Sequence, residues 1–324
     1  MTHRSLQLLT LCIGALLMAI KFAAWWLTNS NAILSDASES IINIAAGIFA
    51  FYSLGLAAKP KDSNHPYGHG KIEFLSAGFE GGLIFLAGIG IIIKAIYNLL
   101  YPQQIEHLTI GLYLTVFSGL VNYIMGHVLE SRGRGASSLI LVASGKHLKS
   151  DAWSSLGLVI GLFIVTLTNK PILDSIIAAV FGLVILYTGF QLMRKSVAGI
   201  MDEADYQLIA NMVRFLDQHR RPNWIDVHNF RVIKYGSTLH IDCHITMPWY
   251  FTTRESHQEV KTFEKLVDEQ QDLPVELFIH VDPCEPKASC RICKKTDCSF
   301  REVEATQHIV WTLENIMADK KHGV

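Results

Sequence analysis

Charged residues are scarce in this chain: Asp, Glu, Lys and Arg together make up 18% of its 324 residues. Positive and negative charges nearly cancel, and the formal net charge is -1. Without an excess of Lys and Arg, the chain lacks the basic surface that a phosphate backbone requires, which excludes nucleic acid as a partner. The sequence also lacks a His-Glu-x2-His motif, with which many zinc hydrolases place a general base beside the metal. This absence argues against a membrane-embedded zinc hydrolase.

Hydrophobic residues make up 50% of the chain and are concentrated in its first 200 residues. The first apolar run is too long for a cleavable signal peptide, and we expect it to cross a membrane. Five more runs of similar length follow it. Residues 1–200 are therefore predicted to form an all-α membrane domain of six helices, at residues 6–27, 33–56, 74–100, 108–130, 137–168 and 172–193.

The links between the predicted helices differ in their content of Lys and Arg. Links two and four contain basic residues, at Lys59, Lys61, Lys71, Arg132 and Arg134. Links one, three and five together contain only Lys170. Basic links stay on the cytoplasmic side of a membrane. This pattern predicts a multi-pass protein of the cell (inner) membrane with both termini in the cytoplasm.

After residue 200 the pattern becomes that of a soluble domain. Helical periodicity is found in residues 203–219 and 254–270, and alternating strand patterns in residues 225–234, 238–247 and 275–281. The order αββαβ predicts a cytoplasmic ferredoxin-like α+β domain over residues 201–283. Residues 284–324 are predicted to be a cysteine-rich tail with a short amphipathic helix at residues 300–317.

Two of the predicted membrane helices contain rows of polar residues spaced three to four residues apart, which places them on one helix face. Asp36, Glu39 and Asn43 form one row, and His147 and Asp151 form the other. Ionisable groups at membrane depth cost about 2.5–3.5 kcal/mol each and usually have a function. Nitrogen and oxygen ligands suit a divalent first-row metal. The alternative is that they cap helix ends or bond to a neighbouring helix.

Three segments in order resemble the cation diffusion facilitator family: 31–47 (NAILSDASESIINIAAG), 65–71 (HPYGHGK) and 147–161 (HLKSDAWSSLGLVIG). The predicted six spans followed by an αββαβ domain are similar to the layout of that family. The resemblance covers about residues 5–284. It implies a homodimeric secondary transporter in the lipid bilayer that exchanges a metal cation for protons by alternating access. The transport ligands that it implies are Glu39, Asn43, His147 and Asp151.

This sequence departs from the usual family pattern at two of those ligands. The family more often has Asp or His where Glu39 stands, and Asp where Asn43 stands. One nitrogen and three oxygens also suit Fe(II), Co(II) or Mn(II), so the expected cargo is Zn(II) first and these ions next. Asp36 is kept as a possible extra ligand. The substituted ligands leave one alternative open, a membrane dimer of the same fold that senses metal or acts as a scaffold without transport.

Two further groups of candidate ligands match regions of the resembled family. Asp62, His65 and His69 follow the second span, and they form either a second metal site or a structural turn. The soluble domain contributes five more residues that match a binuclear regulatory site of some relatives. We predict that metal bound there tightens the dimer, through His228, His244, His257, His280 and Asp282.

The tail contains the pattern Cys284-x5-Cys290-x2-Cys293-x4-Cys298. Four thiolates at such spacing predict a structural zinc ion or, as a second choice, an iron–sulfur cluster. The other possibility is a tail without a ligand. Cys12 and Cys243 are predicted to be ordinary buried cysteines.

Two charged residues within predicted spans are candidates for the ion or proton path. Lys21 lies near enough to a span end to extend its ammonium toward the interface. Glu80 lies deeper, so we expect it to face a partner or a water-filled cavity.

Overall fold

The structure is a computed structural model that describes residues 3–28, 31–101, 109–168, 172–236, 238–271 and 273–322. At several helical positions within these ranges, residues 31–39 among them, only the backbone is described. The chain divides into two compact units, Met1–Met201 and Asp202–Val324.

The first unit contains six long helices among its described residues. Four of them contain a stretch long and apolar enough to cross a membrane: His3–Ala23, Ser40–Ala57, Ile72–Leu100 and Ser175–Ile200. Six membrane crossings remain a prediction, since the fourth and fifth helices contain no such stretch among the residues that the structure describes. The helices are α1 (His3–Thr28), α2 (Asn31–Ala57), α3 (Ile72–Leu100), α4 (Thr109–Gly135), α5 (Leu139–Thr168) and α6 (Ile172–Ile200).

Glycines allow two pairs of helices to pack with their backbones in close contact. A side-chain carbon at Gly189 of α6 would lie 2.5 Å from the backbone nitrogen of Phe85 in α3. One at Gly145 of α5 would lie 2.6 Å from the backbone nitrogen of Glu130 in α4. Small residues at helix contacts are the usual means of tight association within a bilayer. They fix α5 against α4 and α6 against α3.

The N-terminal half of α5 is also fixed by buried carboxylates of its neighbours. Glu73 of α3 accepts hydrogen bonds at 3.1 Å from the Ser138 hydroxyl and at 3.0 Å from the Leu139 backbone amide, which satisfies free donors at the start of α5. Glu130 of α4 forms an ion pair with Lys149 at 2.7 Å. These contacts hold the part of α5 that contains His147 and Asp151.

The second unit has the predicted order of helices and strands, with boundaries within three residues of those predicted for α7, β1, β2, α8 and β3. These elements are α7 (Tyr206–Gln218), β1 (Asp226–Tyr235), β2 (Thr238–Met247), α8 (Thr253–Gln270) and β3 (Val275–Pro283). The sheet has the order β1-β2-β3, with β1 and β2 antiparallel and β2 and β3 parallel. A ferredoxin-like arrangement remains a prediction.

The register of the sheet aligns three histidines. His228 of β1 lies opposite His244 of β2, which lies opposite His280 of β3. Residues directly opposite one another on neighbouring strands have side chains on the same face. The core of this unit includes Trp224 and Phe263, which pack edge to face with ring centroids 5.1 Å apart.

The predicted helix over residues 300–317 is wrong. The structure has two short helices after β3, namely α9 (Pro286–Cys290) and α10 (Leu313–Ile316), and residues 301–312 are not helical. This segment contains the run Thr306-Gln-His-Ile-Val-Trp-Thr312, whose β-branched residues favour extended backbone. Its amides bond outside any helix, with Thr306 and Gln307 both donating to the Arg291 carbonyl. Tertiary contacts thus override the helical spacing of its apolar residues.

Candidate metal sites

Three of the predicted transport ligands meet between α2 and α5. Asn43 donates a hydrogen bond from Nδ2 to Asp151 Oδ2 at 2.7 Å, and its Oδ1 lies 2.9 Å from His147 Nε2. His147 Nε2 lies 3.9 Å from Asp151 Oδ2. Because the Asn43 oxygen only accepts, His147 Nε2 carries the proton of that bond. One imidazole, one amide oxygen and one carboxylate thus converge within reach of a single cation.

Two other predicted ligands are Glu39 and Asp36 of α2, whose side chains lie outside the described residues. The backbone is helical at both positions. Glu39 precedes Asn43 by four residues, so the two positions share a helix face. Their participation in the site remains a prediction.

A cavity between the helices reaches from this cluster to Glu80 on α3. Its lining includes Asn43, His147, Ser144 and Glu80. Glu80 is 1% exposed, and its Oε1 accepts a hydrogen bond from the Ser144 hydroxyl at 2.7 Å. Its Oε2 has no hydrogen-bond partner among the residues that the structure describes. The sequence predicted a partner or a cavity for Glu80, and the structure provides both.

Lys21 does not extend toward a span end as expected. It is buried, lines the same cavity, and donates a hydrogen bond to the Ser40 hydroxyl of α2 at 3.2 Å. The hydroxyl partner lowers the cost of burying the ammonium. We expected Lys21 to reach the interface because it lies near a span end in the sequence. Ser40 is distant in the sequence and comes within hydrogen-bond distance only when α1 and α2 pack together.

The loop between α2 and α3 brings Asp62, His65 and His69 together. One ligand atom of each lies within 4.8 Å of the others. Asp62 lies 3.0 Å from His65 Nδ1 and 3.4 Å from His69 Nε2. Hydrogen bonds from the His65 backbone and neighbouring groups lower the pKa of Asp62, so this carboxylate is anionic at neutral pH. The loop can therefore present one anionic and two imidazole ligands to a metal ion. The same contacts also agree with the alternative, in which these residues only stabilise a turn.

The sheet brings together a second group of ligands, His228, His244 and Asp282, also with ligand atoms within 4.8 Å of one another. Asp282 Oδ2 lies 3.4 Å from His228 Nε2 and 3.4 Å from His244 Nδ1. Burial lowers the pKa of His228, so its ring is neutral at neutral pH, as a metal ligand must be. The group combines two imidazoles and a carboxylate on one face of the sheet.

The two remaining histidines predicted for this site lie differently. His280 borders the group, with its Nε2 3.6 Å from Asp282 Oδ1 and its ring centroid 4.8 Å from that of His244. His257 is exposed on α8 and is not a member of the metal-compatible groups found among the described residues. A single chain therefore assembles the site without His257.

Sequence reasoning missed the residues that surround the sheet group. Asp226 lies 3.2 Å from His228 Nδ1, and its position two residues earlier on β1 could have revealed it. His322 Nδ1 lies 2.5 Å from Asp226 Oδ1, and Lys321 Nζ lies 3.8 Å from Asp282 Oδ1. A backbone contact with β1 brings the segment that contains Lys321 and His322 to these residues. Asn229 lies in a β-bulge with a φ of 52° and donates its backbone amide to the Ala318 carbonyl. No local pattern of residues indicates that long-range contact.

All six cysteines carry free thiols. Cys243 is buried in the sheet core as predicted, but Cys12 is exposed on α1, so its predicted burial is wrong. An apolar side chain in a membrane helix has no need to face protein, which removes the basis of that expectation. The tail residues Cys284, Cys290, Cys293 and Cys298 line one cavity of the second unit.

Comparisons with known proteins agree with these two units. A sequence profile of the cation efflux transmembrane domain matches residues 8–201. A second profile, of the cytoplasmic domain of cation efflux proteins, matches residues 204–284.

Full-length relatives extend the similarity over most of the chain. A transporter of Synechocystis described as uncharacterized is 33% identical, over 86% of this chain and 90% of its own. The manganese efflux system protein MneP of Bacillus subtilis is 24% identical, over 86% of this chain and 96% of its own. The cation-efflux pump FieF of Pectobacterium atrosepticum is 25% identical, over 84% and 89% respectively.

The Lys321 ammonium is expected to oppose cation binding at the sheet group. Replacing it (Lys321→Gln) removes a positive charge 3.8 Å from Asp282. A partly exposed ion pair is worth up to about 1 kcal/mol, so Zn²⁺ binding to this group should tighten about threefold to fivefold. The measurement is competition between the purified chain and a chromophoric chelator.

The neighbouring variant Lys320→Gln is the control, because Lys320 is exposed and changes the net charge equally. A further variant, His244→Ala, removes one ligand of the sheet group. The zinc binding that this variant loses is therefore the binding that belongs to the group. Equal affinity in Lys321→Gln and Lys320→Gln would contradict a specific effect of Lys321.

Proposed function

This chain belongs to the cation efflux family, also called cation diffusion facilitators, and from this we propose that it exports a divalent first-row transition metal in exchange for protons. Members of the family are membrane transporters of cations and not enzymes. We place the chain in the cell membrane with six crossings, both termini in the cytoplasm, and alternating access to one central site.

The cluster of Asn43, His147 and Asp151 is the observation that carries the proposal. Ligand-type groups that meet at membrane depth are costly, and a transported cation is the simplest reason to keep them there. Asn43 hydrogen-bonds to both His147 and Asp151, and a cation bound by the three groups would replace those hydrogen bonds with ligand bonds. Glu39 is proposed to supply the fourth ligand from the preceding turn of α2.

Proton exchange follows from the same ligands. His147 Nε2 donates to Asn43 Oδ1, so a cation can bind Nε2 only after that proton has left this atom. An imidazolium releases the proton, whereas a neutral ring would keep it on Nδ1, so the exchange proposed here starts from the imidazolium. Free histidine has a pKa of about 6.5, close to physiological pH, and therefore gives up and regains a proton readily. We propose that protons return to His147 and Asp151 when the cation leaves on the outside, so that the proton gradient drives export.

The identity of the cation is proposed from the donor set. One imidazole with carboxylates suits Zn(II), which we place first. Asn43 contributes a neutral oxygen instead of a charged one, and oxygen-rich sets also suit Fe(II), Co(II) and Mn(II). The likeness to MneP, a manganese efflux protein by its name, supports keeping Mn(II) in this range.

We further propose that the second unit is a cytoplasmic homodimerisation domain regulated by metal. It matches the cytoplasmic domain of cation efflux proteins, and its sheet assembles His228, His244 and Asp282 as ligands. Metal bound there would neutralise Asp282 and Asp226 and remove a barrier to the close approach of two copies.

The neutral Asn43 also favours a second candidate, a dimer of this fold that senses metal without transporting it. A non-transporting chain has no need for a proton-linked site, whereas the transporter depends on Asp151. Uptake measurements on an Asp151 variant therefore separate the two.

Zinc uptake into inverted membrane vesicles is expected to rise when a pH gradient is imposed with the vesicle interior acidic. Asp151→Ala should lower this uptake by more than about 100-fold, since it removes a direct ligand and leaves Asn43 without its acceptor. Radioactive ⁶⁵Zn²⁺ gives the initial rates.

Ser155→Ala is the matched control, because Ser155 lies one turn later on α5 and its hydroxyl donates to the backbone carbonyl of Asp151, not to its carboxylate. Uptake that ignores the gradient would overturn proton coupling. Wild-type uptake no greater than that of Asp151→Ala would favour the sensor.

Glu80 is expected to act in proton transfer and not in metal binding. It shares a cavity with His147, and its Oε2 is buried without a hydrogen-bond partner among the described residues. Glu80→Gln should reduce the gradient-driven part of zinc uptake about tenfold or more, with zinc affinity at the transport site unchanged within about twofold.

Glu73→Gln serves as the control, since it removes a buried charge two turns earlier on α3 while its amide oxygen can still accept the bonds at the start of α5. A proportional loss of binding and uptake in Glu80→Gln would show that Glu80 is a ligand or a structural residue instead.

A further inference from the structure

The segment after β3 lies beyond the matched cytoplasmic-domain profile, which ends at residue 284. It nevertheless packs onto the second unit. Ile292 and Cys293 form a buried cluster with Ile225, against which Cys284 and Ile309 also pack. Four cysteines, at positions 284, 290, 293 and 298, line one cavity beside this cluster. A chain of this family thus has a folded feature that the family profile does not describe.

The backbone between Cys290 and Cys293 forms tight turns, as in many metal-binding Cys-x2-Cys motifs. Cys290 ends α9, and tight turns follow, in which Ile292 donates to Ser289 at 3.3 Å and Cys293 to Cys290 at 3.4 Å. A Cys-x2-Cys turn of this kind carries two thiolates of many tetrahedral metal sites.

Arg301 stabilises the same turn from the other side of the cavity. Its guanidinium donates to the carbonyls of Cys290 at 3.1 Å, Cys293 at 3.2 Å and Lys295 at 2.6 Å. These bonds tie the segment that follows Cys298 to the turn that precedes it. A loop of otherwise irregular backbone is therefore held in one conformation beside the cavity that the four cysteines line.

The four thiols are shielded from solvent. Cys290 and Cys293 are buried, and Cys284 and Cys298 are half-buried.

We propose that Cys284, Cys290, Cys293 and Cys298 form a structural tetrathiolate site for one zinc ion, distinct from the transport site. A single ion fits the cavity better than an iron–sulfur cluster, because the walls formed by Pro248, Trp249 and Phe300 leave little space. Zn–S bonds of about 2.3 Å require sulfur atoms roughly 3.8 Å apart. Among the described residues no three cysteine sulfurs form a group within 4.8 Å, so the ion would draw them together.

The proposed ion would fix the end of β3. Cys284 follows β3 directly and lies two residues after Asp282, a member of the sheet group. The Cys284 amide also donates to the Met247 carbonyl at the end of β2 at 2.9 Å. Zinc would thus join the last residues of the sheet to the tail that brings Lys321 and His322 against Asp282 and Asp226. Its role is to position these residues, not to exchange with the cargo.

The test is metal analysis of the purified full-length chain after dialysis against a moderate chelator. Wild-type protein should retain one zinc more per chain than Cys290→Ser and Cys293→Ser. Cys12→Ser should retain as much as the wild type, since Cys12 is exposed on α1 and remote in sequence from the tail. Equal zinc in wild type and both tail variants would overturn the proposal.

A second measurement on the wild type does not depend on how the variants fold. Exchange of zinc for Co²⁺ should give the intense sulfur-to-cobalt absorption of a tetrathiolate site. The four tail cysteines should resist maleimide before a strong chelator is added and react with it afterwards. Iron with acid-labile sulfide, or rapid labelling of all four tail cysteines before chelation, would overturn the assignment to zinc.

Discussion

The contact on which the rest of the account depends is the hydrogen-bonded group of Asn43, His147 and Asp151 between α2 and α5. Inside a bilayer, water is not available to solvate these groups, so they must satisfy one another or a cation. Hydrogen bonds to Asn43 satisfy His147 and Asp151 when no cation is bound. In the proposed mechanism, ligand bonds to the cation replace them. In the proposed mechanism the same constraint makes proton and metal compete, because both would bind the lone pair of His147 Nε2.

Neighbouring residues that are not among the proposed ligands position that group. Glu73 caps the start of α5, Lys149 pairs with Glu130, and Gly145 allows α5 to lie directly on the backbone of α4. α5 is therefore a fixed wall that presents His147 and Asp151 together. In the second unit, strand register performs the equivalent task by aligning His228 with His244, and the tail adds charges at the edge of the resulting group.

Local spacing in the sequence was sufficient wherever a site is built within one or two regular elements. The i, i+4 pair His147 and Asp151 and the strand alternation around His244 both lead to side chains that meet in the structure. Long-range contacts left no local pattern. Ser40 as the partner of Lys21, Ser144 as the partner of Glu80, and Lys321 beside Asp282 depend on how distant segments pack. Residues 301–312 were misassigned for the same reason, since backbone bonds to Arg291 outweigh helical periodicity.

The most direct measurement is an anomalous-scattering map of the protein crystallised with Zn²⁺. We expect a zinc peak between α2 and α5, about 2.0–2.2 Å from His147 Nε2 and from an Asp151 oxygen, with the Asn43 amide oxygen turned toward the ion. A map with zinc in the sheet group and in the cysteine tail, but with the hydrogen bonds of Asn43, His147 and Asp151 intact and no peak between them, would contradict it.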